Sequence, residues 1–171
     1  MAFPYSSGEV LTAADLNNGV NSWWLPAAQF SLALGSATLG VVGSWSNVAQ
    51  CWQVATGNNG FLVTSFYAPQ TGNFNLQLYY QGGGSGNFRL AADTANGRTP
   101  GTPGDTMFTL TGNSNAVTIA SENGLARWTM STSIPVDAGD LVNLSVGRNG
   151  PNPNDTSANT CYIFGVRVYY V

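Results

Sequence analysis

Short apolar runs separated by turn residues divide most of this chain, and that rhythm restricts the possible folds more than any other feature. Runs rich in β-branched and aromatic residues alternate with clusters of Gly, Asn and Pro at a spacing of roughly 8 to 14 residues. The run 73–80 is the clearest, because apolar side chains occupy every second position, as in a strand that buries one face. We therefore predict an all-β sandwich or barrel of about nine or ten strands.

The predicted strands are the runs 29–34, 48–55, 60–67, 73–80, 87–92, 106–110, 116–120, 125–134, 140–148 and 161–171. The last run is apolar on both faces, which favours a place in the middle of a sheet, since an exposed edge of that kind invites association. Segments 82–86, 93–105 and 149–159 are predicted as connections. No self-similarity at the period of a solenoid or propeller occurs.

The charge of the chain excludes several classes of partner. Only 8% of the 171 residues are charged, where about 25% is typical of globular proteins. The net charge is -3 and Lys is absent, so neither nucleic acid nor an anionic membrane is an expected partner. The sequence also lacks an apolar run of the ~20 residues that would cross a bilayer and lacks a signal peptide, so we expect a soluble protein made in the cytoplasm. Such a weakly charged surface favours self-association.

The sequence contains no histidine, and this argues against an enzyme. Ser-His-Asp and Cys-His catalysis and the commonest metal ligand are all missing. A glycosidase needs only two carboxylates, but none of the eight acidic residues lies in an apolar strand interior that would shift its pKa. We therefore predict no catalytic residue, no metal site and no cofactor.

Four charged residues near the C-terminal strands are candidate loop contacts to a partner. Asp137 and Asp140 bracket Ala-Gly, which predicts a turn held by side chain to backbone hydrogen bonds. A calcium site that draws on Asp155 or Asn154 is the alternative, although the usual ligand spacing is absent. Arg148 and Asp155 are predicted to form a structural ion pair that closes a loop.

Other motifs have an ordinary structural interpretation beside a functional one. The run Gly82–Gly86 lacks the Lys-Ser/Thr ending of a phosphate loop and is predicted to be a flexible connection. Cys51 and Cys161 are interpreted as reduced, buried residues, with a disulfide as the alternative. Clustered aromatics could stack on sugars or join subunits, although a sandwich core explains most of them. These aromatics are Trp23, Trp24, Trp45, Tyr79, Tyr80, Tyr169 and Tyr170.

The first residues carry unusually dense signals for one short helix. Thr12 is a candidate N-cap, Asp15 stands three residues later, and Leu11 and Leu16 occupy the hydrophobic-staple positions. We predict an attachment arm with a helix and a linker over 1–26, followed by the sandwich over 27–171. The residues predicted to attach it to a particle are Phe3, Pro4, Tyr5, Val10, Leu11, Thr12, Asp15, Leu16 and Asn17.

Two resemblances to tailed-bacteriophage virion proteins accompany these patterns. The peptide GEVLTAADLN resembles the opening of many tail-fibre and other virion-surface proteins. The segments IPVDAGDLVNLSVGRNG and PNDTSANTCYIFGVRVYY resemble strand blocks of small viral jelly-roll modules. The resemblance implies a jelly-roll-like β-sandwich of about 8–10 antiparallel strands, a homotrimer and a place in the virion.

The resemblance leaves three functions open. The first is a non-enzymatic capsid decoration (cement) protein that binds the major capsid protein through its arm. The alternative is a short tail-fibre or receptor-binding protein that joins tail proteins and recognises host surface glycans through the loops 82–86, 93–105 and 149–159. A free carbohydrate-binding lectin is third, and it leaves the arm unexplained.

Overall fold

A computed structural model describes residues 22–43, 48–97, 115–131 and 133–171. These residues form twelve strands and one 3-10 turn, Ala27–Gln29. The strands are β1 (Ser22–Pro26), β2 (Ser31–Gly35), β3 (Thr38–Val42), β4 (Ala49–Val54), β5 (Asn59–Tyr67), β6 (Gly72–Gln81), β7 (Asn87–Gly97), β8 (Asn115–Ala120), β9 (Ala126–Thr129), β10 (Ile134–Val136), β11 (Leu141–Asn149) and β12 (Cys161–Tyr170). Within these ranges no helix is long and apolar enough to span a membrane.

Two antiparallel sheets pack face to face. In the seven-stranded sheet, β12 pairs with β6 along one edge and with β4 and then β1 along the other. Strand β3 extends the sheet beyond β4, and β9 and β10 pair with the far edge of β6. The second sheet has the order β2-β5-β11-β7-β8. The predicted all-β sandwich is confirmed, with more strands than the expected 8–10.

The core lies between the sheets and follows the predicted alternation. On β6, Phe74, Leu76, Leu78 and Tyr80 are at most 2% exposed. Val142, Leu144 and Val146 of β11 face them from the other sheet and are likewise buried. Burial of one such large apolar side chain is worth about 1.5–3 kcal/mol, so this inner face supplies much of the stability of the sandwich.

The prediction for the last strand is also confirmed. β12 lies inside the seven-stranded sheet, with partners on both of its edges. Its side chains at Cys161, Ile163, Val166 and Val168 are at most 1% exposed. This strand, which is apolar on both faces, therefore lies inside the sheet and does not form an exposed edge.

Four parts of the prediction were wrong, and tertiary pairing explains them. Residues 22–26, predicted as linker, form β1 because they pair with β12 along its edge. β3 was missed, since Gly40 interrupts its short apolar run. Residues 93–97, predicted as loop, extend β7 because Leu141–Ser145 of β11 pairs with them. The run 125–134 is divided between β9 and β10. The predicted arm helix and the run 106–110 lie outside the described residues.

Cys51 and Cys161 are free thiols, both fully buried. Burial raises the pKa of both, that of Cys161 to about 12, although the nearby Arg148 opposes the shift. The interpretation as small packed side chains therefore fits the structure, and both thiols are poor nucleophiles in the folded protein.

Candidate functional site

An exposed aromatic pair lies on the outer face of the seven-stranded sheet. Trp24 of β1 is 39% exposed, and its ring meets Tyr79 of β6 edge to face at 5.2 Å between centroids. The two rings line a cleft of about 370 Å³ that is open to solvent. Phe164 of β12, Gln81 of β6 and Leu125 also line the cleft, together with Val42, Gly43 and Ala49.

An irregularity in β12 builds this cleft. The pairing of β12 with β6 shifts between Ile163 and Gly165, so Phe164 is an extra residue in the strand. A bulge of this kind re-aims neighbouring side chains. Here Phe164 and Gly165 both face the outer side of the sheet, between Ile163 and Val166, which face the core, and Phe164 lines the cleft.

Gly165 fixes the position of the Trp24 ring. Its φ is +145°, and a Cβ at this position would lie 2.3 Å from the Leu25 carbonyl oxygen and 2.7 Å from Cζ2 of Trp24. The indole thus rests directly on the backbone of β12, where a side chain would otherwise stand. The aromatic surface is held by the sheet and not by a loop, so it is formed before any ligand arrives.

The cleft combines aromatic faces with hydrogen-bonding groups. Trp24 and Tyr79 offer apolar rings with a polar edge, and the Gln81 amide stands beside them. Gln81 is itself oriented, because its Nε2 donates to the Asn123 carbonyl oxygen at 2.7 Å. Such a surface suits a ligand that has apolar C–H faces and a polar rim.

The predicted ion pair between Arg148 and Asp155 is confirmed and is buried. Arg148 Nε donates to Asp155 Oδ2 at 2.8 Å, and Nη2 donates to Oδ1 at 2.6 Å. The other three N–H groups of the guanidinium donate to the carbonyl oxygens of Val54, Ser157 and Asn159. The two side chains are 0% and 1% exposed, so neither can serve as the loop contact predicted for them.

This ion pair holds two connections together. The backbone N–H groups of Thr156 and Ser157 donate to the Asn87 carbonyl oxygen, and Asn159 Nδ2 donates to Ser85 Oγ at 3.1 Å. The run 82–86 is therefore a connection that packs against the segment 149–159, and its flexibility stays a prediction. At Gly86, where φ is +72°, a Cβ would lie 2.7 Å from the Thr156 carbonyl oxygen. Close packing explains this glycine without any phosphate.

Asp137 and Asp140 form the predicted turn. Asp140 Oδ2 accepts the Asp137 backbone N–H at 2.9 Å, and the Asp140 N–H donates to the Asp137 carbonyl oxygen at 3.0 Å. This turn precedes β11, whereas Asp155 follows it, so the length of a nine-residue strand separates them. The alternative calcium site that combines them is therefore wrong, and the described residues hold no cluster of three metal-ligating side chains.

The other predicted contacts have different outcomes. Tyr80 lies in the core and donates to the Ala120 carbonyl oxygen, and Trp23 packs against Phe66 and Tyr170. Trp45, the nine arm residues Phe3 to Asn17 and residues 98–105 lie outside the described part of the chain. Phe164 was missed because its outward position depends on the bulge, although the alternation of β6 already placed Tyr79 on the outer face.

Comparisons with known proteins identify the fold. The sequence matches no protein-family model and no curated protein. A family 35 carbohydrate binding module from Clostridium thermocellum is similar in structure, with TM-score 0.56 and 11% identity over 88% of this chain and 98% of that one. The CBM36-1 domain of a multidomain xylanase from the hindgut metagenome of Trinervitermes trinervoides is also similar. Its TM-score is 0.54 and its identity is 11%, over 88% of this chain and 98% of that one.

A phage protein is also among the similar structures. The enzymatically active domain of bacteriophage CBA120 tailspike protein 4 has TM-score 0.50 and 12% identity, over 85% of this chain but only 20% of that one. At such identities the likeness shows a shared sandwich fold. The aromatic cleft must therefore be judged on its own geometry.

Proposed function

We propose that this domain is a non-enzymatic carbohydrate-binding module that holds a sugar ring against Trp24 and Tyr79. The single observation that carries the proposal is the exposed aromatic pair at the 370 Å³ cleft. Sugar rings have apolar C–H faces and a rim of hydroxyl groups, and this cleft offers a complementary set of aromatic faces and an oriented amide. Its volume lies in the range of about 300–1,000 Å³ that is usual for small-ligand sites.

Two further observations support binding without catalysis. The sequence has no histidine, and Asp155, the carboxylate that forms an ion pair among the described residues, is sequestered by Arg148. The named carbohydrate-binding modules of similar fold make glycan recognition a natural use of this sandwich.

The phage resemblance of the arm supplies a setting for the proposal. Among the functions that the resemblance implies, a tail-fibre or receptor-binding protein accounts for a glycan cleft. The similar fold of the tailspike domain is compatible with that function. A capsid decoration (cement) protein has no evident use for the cleft, and none of the similar structures named above supports that function. A homotrimer, attachment through the arm and a place in the virion stay predictions from the resemblance.

Loss of the aromatic surface tests the proposal. Trp24→Ala and Tyr79→Ala should each weaken the binding of saccharides found on a glycan array by roughly tenfold, since one aromatic contact contributes about 0.5–1.5 kcal/mol beyond its buried area. Tyr67→Ala is the matched control, because Tyr67 is 62% exposed on the other sheet. Titration calorimetry gives the affinities. Binding that survives both cleft variants, or a wild-type protein that binds no saccharide, would refute the proposal.

A further inference from the structure

The described strands of the sheet that carries the aromatic pair hold only positive charges. These strands contain two arginines, Arg127 of β9 and Arg167 of β12, and no Asp or Glu. This is unusual in a chain with a net charge of -3 and only five basic residues. Both side chains are exposed. Arg127 precedes the buried Trp128 and Arg167 precedes the buried Val168, so the alternation of side chains along each strand directs both arginines outward.

The pairing of the strands places both arginines beside the cleft. Arg127 is the cross-strand partner of Tyr79 on one side of β6. Arg167 is the partner of Gln77 on the other side of β6 and also the partner of Trp24 of β1. Directly opposed residues have Cβ atoms about 4.5–5.5 Å apart, so each arginine adjoins one ring of the aromatic pair.

Neither arginine lines the cleft itself, but the two flank the aromatic pair at a distance that a saccharide can span. Two strand spacings of about 4.8 Å and a two-residue offset of about 6.7 Å put their Cα atoms about 12 Å apart. Arg167 is also preoriented, because Nη2 donates to Ser22 Oγ at 3.2 Å and the guanidinium lies 5.6 Å from the Tyr169 ring centre. Among the described residues the one ion pair is the buried pair of Arg148 and Asp155, so no described carboxylate neutralises either outer arginine.

We infer that the ligand of this cleft is an acidic saccharide, in which a carboxylate or sulfate group pairs with Arg127 or Arg167 while the ring rests on Trp24 and Tyr79. This inference rests on the function proposed above and names its ligand class. Guanidinium groups bind carboxylate and sulfate oxygens through paired N–H donors, and such charge-assisted hydrogen bonds are about twice as strong as neutral ones. The nearest carboxylate along the chain, Glu122, belongs to the loop before β9, where its carbonyl oxygen accepts the Gly82 N–H.

The test compares acidic and neutral saccharides of the same backbone. Titration calorimetry would use trigalacturonic acid against its methyl ester, and sialyllactose and sulfated lactose against lactose. The protein should bind one or more of the acidic partners at least about tenfold more tightly than the neutral one. The preference should shrink when NaCl rises from 50 to 500 mM, since salt screens exposed charges. The ratio between the carboxylated and the sulfated sugars identifies the anion.

The decisive variant is the double substitution Arg127→Gln with Arg167→Gln. It should remove the preference for the acidic sugar, so that the variant binds the acidic and the neutral sugar with similar affinity. Arg89→Gln is the control for a general effect of charge, because it removes one positive charge from an outward position on the other sheet, where Arg89 donates to Thr118. Thermal unfolding of each variant verifies that the fold is intact.

The outcomes separate this inference from the proposed function. Binding of neutral and acidic sugars with equal affinity, still weakened by Trp24→Ala, would overturn the inference alone. If no sugar of either kind binds, both fail. Loss of self-association in the double variant, measured by sedimentation, with acidic-sugar binding unaffected would assign the arginines to an interface between copies and would also overturn the inference.

Discussion

Substitution of Asp155 by alanine should destabilise this protein more than any other loss of a single carboxylate in the described residues. The variant removes the partner of a guanidinium that is 0% exposed, and Arg148 cannot lose its proton to escape the cost. Two of its five N–H groups lose their acceptor. The backbone N–H of Arg89, which donates to Asp155 Oδ2 at 3.0 Å, loses its acceptor as well.

The magnitude follows from this inventory. Removal of one partner from a buried ion pair costs about 3–5 kcal/mol, because an uncompensated charge remains in the interior. The three carbonyl oxygens that still accept from Arg148 reduce the cost, while the unpaired Arg89 N–H adds about 1–3 kcal/mol if water cannot reach it. We expect a loss of about 4 kcal/mol, a large share of the 5–15 kcal/mol that stabilises an ordinary domain.

Urea unfolding followed by tryptophan fluorescence measures this loss. The midpoint should fall while the slope of the free energy against urea stays the same, since the surface exposed on unfolding is unchanged. Asp93→Asn is the control: it removes one negative charge from an exposed strand position and should change the stability by less than about 0.5 kcal/mol. Arg148→Met and the double variant Arg148→Met with Asp155→Ala complete a double-mutant cycle.

The cycle also decides whether the reasoning is right. The two groups should be coupled by at least about 2 kcal/mol, since they share one buried network. A loss below about 1 kcal/mol for Asp155→Ala, or additive effects in the cycle, would mean that water screens the pair. In that case, the pair would not be what holds the segment 149–159 against the rest of the sandwich.

Two other predictions concern the cleft and the behaviour at high pH. Gly165→Ala should lower the stability by about 1–3 kcal/mol and weaken saccharide binding, because its Cβ would lie 2.3 Å from the Leu25 carbonyl oxygen and displace the Trp24 ring. A crystal structure of the variant with the ring unmoved would contradict this. Burial raises the pKa of Cys161 from 9.0 and of Tyr80 from 10.0, each to about 12. The unfolded chain therefore loses these protons first, and the contribution of these two groups to the free energy of unfolding should be constant below about pH 8 and fall as the pH rises to 12. Urea unfolding at several pH values measures this, the variant Cys161→Ala should show a smaller fall, and a constant stability up to pH 11 would disprove the assignment.

The local sequence was sufficient for much of the fold. The alternation of Phe74, Leu76, Leu78 and Tyr80 specified the strand β6 and its buried face, because side chains alternate across a strand whatever its neighbours are. The apolar character of 161–170 on both faces likewise predicted a strand inside a sheet. The turn at Asp137 and Asp140 and the ion pair of Arg148 and Asp155 were predicted because their partners lie close in sequence.

What the sequence by itself could not determine depends on partners that are distant along the chain. The residues 22–26 became a strand only because β12, more than a hundred positions away, offers them an edge, and this pairing puts Trp24 beside Tyr79. The burial of Arg148 depends on carbonyl oxygens from Val54 and from the loop after β11. Alternation therefore determined which side chains face outward, whereas strand pairing determined which of them meet. The aromatic cleft forms only because strand pairing brings Trp24 and Tyr79 together.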